Sequence, residues 1–260
     1  MNERLSKTKL KDIRALTTAK GRAEAGRFLV EGERIVRDVV AKGISAHVAI
    51  FDEEALHSKP TLQKLAASFN DRALLAEPKD FLAIADTENS QGVVAIFDLP
   101  KPGCQMAAKT QRASFLVLDN VRDPGNMGTV FRHASAFSCA GIFLVRGCCD
   151  PFNPKAVRAS MGGVFDVAYE MDVEAEALAA RFKKDGVALF ACENVKDARN
   201  AFDATLPSHC AFIIGGETEG IHPAWKTLGA QSVAIPQSAR MESLNAAVAA
   251  SIVLALRYRA

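Results

Sequence analysis

Three stretches of this chain carry residue types suited to building a site. The first is Asn120-Val121-Arg122-Asp123-Pro124-Gly125-Asn126-Met127-Gly128-Thr129-Val130-Phe131-Arg132. The second is Gly215-Gly216-Glu217-Thr218-Glu219-Gly220-Ile221, and the third runs from Gln237 to Glu242 and into Ser243-Leu244-Asn245. Each follows an aliphatic run that reads as a strand, so all three leave the carboxyl ends of strands, where open α/β sheets bind ligands. The glycines allow backbone to come close to a ligand. Neither G-x-G-x-x-G after the first strand nor G-x-x-x-x-G-K-S/T is present, and Glu217 and Glu219 would repel a phosphate. A neutral or cationic ligand suits the second loop better. Taken singly, Ser243 reads as a helix N-cap and Arg132 as a partner for a surface carboxylate. His133 sits beside Arg132, but adjacent helical residues point in different directions, which assigns it a structural role.

Two α/β segments position these loops. In the first, strands at 28–31, 47–51, 73–76 and 92–97 alternate with helices at 33–41, 62–68 and 79–85. Asp98-Leu99-Pro100-Lys101-Pro102-Gly103-Cys104-Gln105 then breaks either periodicity and reads as a linker. The second segment restarts at Phe115-Leu116-Val117-Leu118-Asp119, apolar on both faces like a buried parallel strand. A helix at 127–138, strands at 141–145 and 164–169, a helix at 173–184 and strands at 187–192, 211–215 and 232–235 follow, and an alanine-rich helix closes the chain. The expected organisation is a domain over 1–100, a linker over 101–112 and a mostly parallel α/β domain over 113–260.

The 260 residues are 49% apolar with a formal net charge of +2. No apolar run approaches the roughly 20 residues that span a bilayer, and the first residues lack the apolar stretch of a signal peptide, so a cytoplasmic protein is expected. Cys104, Cys139, Cys148, Cys149, Cys192 and Cys210 are irregularly spaced and form no C-x-x-C pair, which argues for reduced thiols and against a metal site. Residues 1–22 are basic, with Arg4, Lys7, Lys9, Lys11, Arg14, Lys20 and Arg22 against Glu3 and Asp12. Such a segment suits phosphate-backbone contact and equally a solvated terminus.

In this order, the three loops resemble the three motifs of the SpoU (TrmH-like) family of RNA ribose 2′-O-methyltransferases of the SPOUT class. The matching residues are Asn126, Gly128 and Arg132; Gly215, Glu217, Glu219, Gly220 and Ile221; and Ile235, Pro236, Ser243, Leu244 and Asn245. Ala246 stands where valine is usual and Gln237 where methionine is common. The resemblance covers residues 114–258 and extends to Asn153–Gly163 between the first two motifs. Lys20-Gly21-Arg22 and Phe28–Arg34 resemble the L30e-like substrate-binding domain that precedes the catalytic unit in ribosomal-RNA members.

The resemblance implies a SPOUT domain with a deep trefoil knot, a homodimer, and methyl transfer from S-adenosylmethionine to a ribose 2′-hydroxyl, with ribosomal RNA favoured over tRNA. It implies catalytic roles for Arg132, Asn126, Glu219, Ser243 and Asn245. Gly215, Gly216, Glu217, Ile235 and Leu244 would hold the cofactor, and Lys7, Lys9, Lys11, Arg14, Lys20 and Arg22 would meet RNA. Alternatives are a tRNA 2′-O-methyltransferase, an enzyme methylating a base nitrogen, and a catalytically silent RNA-binding protein of the same fold. Because a guanidinium stays protonated, Arg132 is expected to anchor phosphate and hydroxyl rather than to act as a base.

Overall fold

The computed structural model describes residues 3–104, 112–238 and 240–259. Residues 105–111 of the expected 101–112 linker lie outside the described residues. The chain forms two compact units, one of residues 1–100 with 150–162 and the other of 101–149 with 163–260.

The first unit runs β1 (Glu3–Arg4), α1 (Lys7–Ala15), α2 (Ala19–Ala25), β2 (Arg27–Glu31), α3 (Glu33–Ala41), β3 (Val48–Asp52), α4 (Glu53–Ser58), α5 (Pro60–Phe69), β4 (Ala73–Ala76), α6 (Pro78–Leu82) and β5 (Val93–Asp98). Its sheet has the order β1-β4-β3-β5-β2, with β5 antiparallel to both neighbours. Two helices in the basic segment were not legible as such: α1 is capped by the Ser6 hydroxyl, which accepts from Lys9 N, and α2 by that of Thr18, which accepts from Gly21 N. Ile13 and Leu16 bury against Leu29, Ile50, Leu74 and Ile96, so the segment is held by an apolar core rather than left solvated.

The second unit carries β6 (Ala113–Asp119), α7 (Pro124–Ala136) and β7 (Gly141–Val145); α8 (Pro154–Ser160) packs with the first unit. The second unit then continues with β8 (Tyr169–Val173), α9 (Ala175–Lys184), β9 (Ala188–Cys192), β10 (Arg199–Asn200), β11 (His209–Gly215), α10 (Ala224–Thr227), β12 (Gln231–Ala234) and α11 (Ala246–Arg259). All seven strands are parallel in the order β10-β12-β9-β11-β6-β7-β8. From β6 the chain steps outward through β7 and β8 and then returns to the other side of β6, so the strand order reverses between β6 and β11. β6 is buried along its whole length, as its two-sided apolar sequence requires. Phe115, Phe143 and Phe182 pack together beside it with ring centroids 5.1–5.9 Å apart, each contributing on the order of 1.5–3 kcal/mol.

Two local readings of the sequence are corrected. The strand expected at 164–169 is a 3-10 turn at Gly163–Phe165, closed by Asp166 N and Val167 N donating to Gly163 O, and the strand begins only at Tyr169. The turn lies flat against α7: a Cβ on Gly163 would meet Phe131 O at 2.6 Å. Residues 150–162, which the sequence places inside the 113–260 domain, group with the first unit. Asp150 accepts from Arg22 Nε at 2.9 Å, Phe152 packs edge-on to Phe28 at 4.9 Å and Arg158 pairs with Asp86. Among the described residues no helix is long and apolar enough to cross a membrane.

Candidate active site

At the carboxyl ends of β9, β11 and β12 lies a cavity of about 370 Å³, within the range of small-molecule sites. Two glycines make it possible. Gly216 N donates to Asp119 O at 2.8 Å, extending the β11–β6 ladder by one residue past Gly215↔Asp119. A Cβ on Gly216 would stand 2.1 Å from Asn120 O, and one on Gly215 would stand 2.3 Å from the Gly220 carbonyl carbon. Only glycine lets the loops approach this closely. Asp119 fixes the second loop from below: its buried carboxylate accepts from His222 N at 2.8 Å and from Trp225 Nε1 at 3.0 Å.

All five residues expected to hold a cofactor, Gly215, Gly216, Glu217, Ile235 and Leu244, line this cavity, as do Glu219 and Ser243. The wall from Cys192 to Val195 was not expected. Glu193, Glu217, Glu219 and Glu242 all face the cavity, and among the described residues no lysine, arginine or histidine does. Lys226 offsets Glu193 at 3.0 Å and Arg122 approaches Glu219 at 3.4 Å, both from outside the lining. The cavity therefore has a negative potential and favours a cationic or neutral ligand.

A relay of amides joins the first and third loops at the cavity's edge. Asn245 Nδ2 donates to Asn126 Oδ1 at 2.9 Å, and Asn126 Nδ2 donates to Glu217. Asn245 is also the cap of α11, its Oδ1 accepting from Ala247 N at 2.9 Å and Val248 N at 3.2 Å. The capping role open to Ser243 thus belongs to Asn245, and Ser243 stands on the cavity wall. Glu219, expected to orient Arg132 or Asn126, instead accepts from Asn120 Nδ2 and pairs with Arg122, while Arg122 Nε donates to Asn120 Oδ1 at 2.8 Å. Asn120 and Arg122 are site residues that the sequence reading missed. The signal was available: both flank the carboxyl end of the buried strand, and Asn120 adopts a positive φ of 60° that asparagine tolerates.

Arg132 is not among the cavity-lining residues. It is exposed on α7, six residues and hence about 9 Å of helix rise beyond Asn126. It has no ion pair with any described residue, so the surface-pair reading does not hold. Its neighbour His133 bridges to α11. Ser251 Oγ donates to Ala247 O at 2.5 Å, which leaves the hydroxyl oxygen to accept from His133 Nδ1–H. Burial, and secondarily the charge of Arg132, hold His133 below the usual histidine range. With the Asn126–Asn245 bond two turns earlier and the Phe137–Tyr258 contact at 6.0 Å one turn later, three rungs hold α7 and α11 in register.

In the first unit the six expected RNA contacts separate. Arg22 is buried, donating to Asp150 and to Leu16 O and Thr17 O at 3.0 and 3.1 Å, so it is unavailable to a phosphate. Lys7 pairs with Asp80 at 2.8 Å, Lys9 with Glu3 at 3.1 Å and Lys20 with Glu24 at 3.8 Å. Lys11 and Arg14 are exposed with no ion pair to a described residue. The six cysteines are free. Burial pushes the thiols of Cys104 and Cys139 up to about 12 and that of Cys148 up to about 11, far from a reactive thiolate. Among the described residues, no group of three or more His, Cys, Asp or Glu gathers to hold a metal ion.

Residues 113–255 match the SpoU rRNA Methylase family, and residues 7–95 match the MRM3-like substrate binding domain. The chain is 29% identical over 252 residues to the uncharacterized tRNA/rRNA methyltransferase slr1673 of Synechocystis sp., covering 94% of this chain and 88% of that one. It is 27% identical over 247 residues to the 23S rRNA (guanosine(2553)-2′-O)-methyltransferase RlmP of Bacillus subtilis, covering 95% and 94%. Its structure is similar to that of the AdoMet-bound rRNA methyltransferase of Sinorhizobium meliloti, with a TM-score of 0.80, 28% identity and coverage of 99% and 97%.

Proposed function

Since the chain belongs to the SpoU rRNA methylase family, we propose that it transfers the methyl group of S-adenosylmethionine to a ribose 2′-hydroxyl of ribosomal RNA. The observation that carries this reading is the cavity: cut by two obligatory glycines and lined by four carboxylates and, among the described residues, by no cation. These residues suit a ligand with a sulfonium and an ammonium group. When bound there, the cofactor supplies a methyl group on a positively charged sulfur.

This chain's own residues then bind and align. Ile214, Ile235 and Leu244 give apolar walls for a flat base, and the backbone groups of Gly215 and Gly216 meet its polar edge. The carboxylates balance the ligand's charge before transfer. As the C–S bond breaks and the C–O bond forms, the 2′-hydroxyl gives its proton to solvent water, and the growing negative character of its oxygen neutralises that charge, so a site otherwise poor in water favours the transition state. The Glu217–Asn126–Asn245 relay fixes the rim on which the ribose rests, and alignment there lowers the barrier. Arg132 anchors the phosphate beside the target ribose. Its distance along α7 from the cavity edge is what a role in the partner subunit's site of a homodimer would require, and exposed Val248 and Tyr258 on α11 offer that interface apolar surface. In this reading the 216–222 and 235–245 segments are the crossings of a trefoil knot. Their support is that both wall one cavity while α11 packs back on β11 and β6. The domain over 1–100 recruits the RNA, with Lys11 and Arg14 among its cations that form no ion pair with a described residue, and the protein acts in the cytoplasm.

The test is incubation of the purified protein with ribosomal RNA from a strain lacking it, in the presence of cofactor labelled in the methyl group. Label should enter the RNA at a single nucleotide, and RNA that stays unlabelled would overturn the proposal.

A further inference from the structure

A second cavity, of about 130 Å³, lies at the opposite end of the parallel sheet and is lined by Arg112, Ser114, Phe137, Ser138, Arg257 and Tyr258 among others. Ala113 pairs with His209 at that end of β6, whereas Asp119 pairs with Gly215 at the cofactor end. The two cavities are thus separated by six residues of strand, about 20 Å. The methyl-transfer reading draws on its outer edge at Tyr258 for the dimer interface and assigns the cavity itself no ligand.

Its charge balance is unusual. Arg257, on the last turn of α11, is buried to 4% exposure. A guanidinium has five N–H donors, yet toward the described residues Arg257 spends only Nη2, which donates to Ser208 O at 2.6 Å. Arg112 donates Nη2 to Arg257 O at 3.4 Å. Neither arginine forms an ion pair with a described carboxylate. Burial is the main influence on Arg257, pulling it below the ordinary guanidinium range; the nearby Cys210 pushes the other way, and Arg112 adds to the lowering. The other buried or half-buried arginines among the described residues are treated differently: Arg22 faces Asp150, Arg158 faces Asp86 and Arg181 faces Glu170 at 2.7 Å. A buried charge is normally paired, because removing it from water is costly and only a counter-charge repays that cost. The carbonyl ends of α7 and α11 offset part of the cost but leave both forks with unused donors.

We propose that this cavity binds a phosphate oxyanion between the guanidinia of Arg112 and Arg257, with the Ser138 hydroxyl at its rim as a third donor. Two planar forks and a hydroxyl match a tetrahedral group that accepts several charge-assisted hydrogen bonds at once. The same chemistry is presented by free inorganic phosphate and by the backbone of RNA, and the experiment separates the two.

Thermal unfolding is measured at constant ionic strength with inorganic phosphate replacing chloride. At tenfold over its dissociation constant, phosphate should raise the Tm of the wild type by about 3 °C. Arg112→Gln changes an exposed side chain and should unfold at the wild-type temperature in chloride while losing the phosphate shift. Arg257→Lys, which keeps the charge but not the fork, should reduce it. Fluorescence anisotropy with an oligoribonucleotide gives the second arm. If Arg112→Gln weakens RNA binding about threefold or more, the occupant is a backbone phosphate; a lost Tm shift with unchanged RNA affinity assigns the site to free phosphate. A wild type that shows no phosphate shift, together with RNA affinity indifferent to Arg112, would overturn the proposal. So would a shift that Arg112→Gln retains in full.

Discussion

Replacing Gly216 by alanine perturbs the cofactor cavity through the smallest possible addition. The new Cβ would stand 2.1 Å from Asn120 O and 2.9 Å from the Asn120 carbonyl carbon, so about 0.9 Å of separation must open before the contact reaches 3.0 Å. Both partners are backbone, and no side-chain rotation relieves the clash. One flank is also pinned, because Gly216 N is bonded to Asp119 O and the Asp119 carboxylate is committed to His222 and Trp225. The strain therefore falls on Asn120, and through it on Arg122 and Glu219. Overpacking of this kind costs about 1–3 kcal/mol of stability. A misplacement near 1 Å in a binding constellation costs about a hundredfold. Isothermal titration with S-adenosylmethionine should show affinity weakened by about ten- to a hundredfold, in a variant whose circular dichroism is that of the wild type. If folded Gly216→Ala binds the cofactor as tightly as the wild type, the loop approach at Gly216 is not what shapes the site.

Other perturbations test separate parts of the account. Arg132→Lys keeps the charge and loses the bidentate fork, so RNA affinity should hold while single-turnover methyl transfer falls by about a hundredfold or more; near-normal transfer would remove Arg132 from the mechanism. Arg22→Ala leaves Asp150 without its buried partner and should cost about 3–5 kcal/mol in denaturant unfolding. Lys11→Ala and Arg14→Ala should leave stability unchanged and weaken RNA binding in gel-shift titrations, each lowering the salt slope by roughly one ion. His133 is held below its ordinary value of 6.5 by burial and Arg132, so the unfolded chain takes up its proton first as pH falls. Its contribution to stability is full above about pH 6.5 and is lost as pH drops from there toward the folded-state value. His133→Gln should make denaturant unfolding less sensitive to the change from pH 7.5 to 5.5 than in the wild type, and an identical sensitivity would contradict the assignment.

Much of the catalytic unit was legible because its signals are local. Glycines and amides clustered after aliphatic runs mark loops at strand ends, and Phe115–Asp119 announces a central parallel strand by being apolar on both faces. What the sequence concealed depends on partners far along the chain. Glu217 and Glu219 are two residues apart and chemically alike, yet one receives Asn126 and the other Asn120 and Arg122, a sorting set by how two loops about a hundred residues apart pack together. Arg22 looks like any other cation of a basic terminus until Asp150 arrives from 128 positions away. The cap at Asn245 rather than Ser243 turns on where α11 begins, and helix ends are the least determined feature of a periodic pattern.

The central claim is that the cavity between the second and third loops delivers a methyl group to a sugar oxygen. Mass spectrometry of nucleosides from ribosomal RNA treated with the protein and isotopically labelled S-adenosylmethionine tests it most directly, since collision separates base from ribose. The account predicts that the labelled methyl stays with the ribose fragment and that, at a cofactor concentration near the wild-type dissociation constant, its yield falls about ten- to a hundredfold when Gly216→Ala replaces the wild type. A label that travels with the base fragment would contradict it.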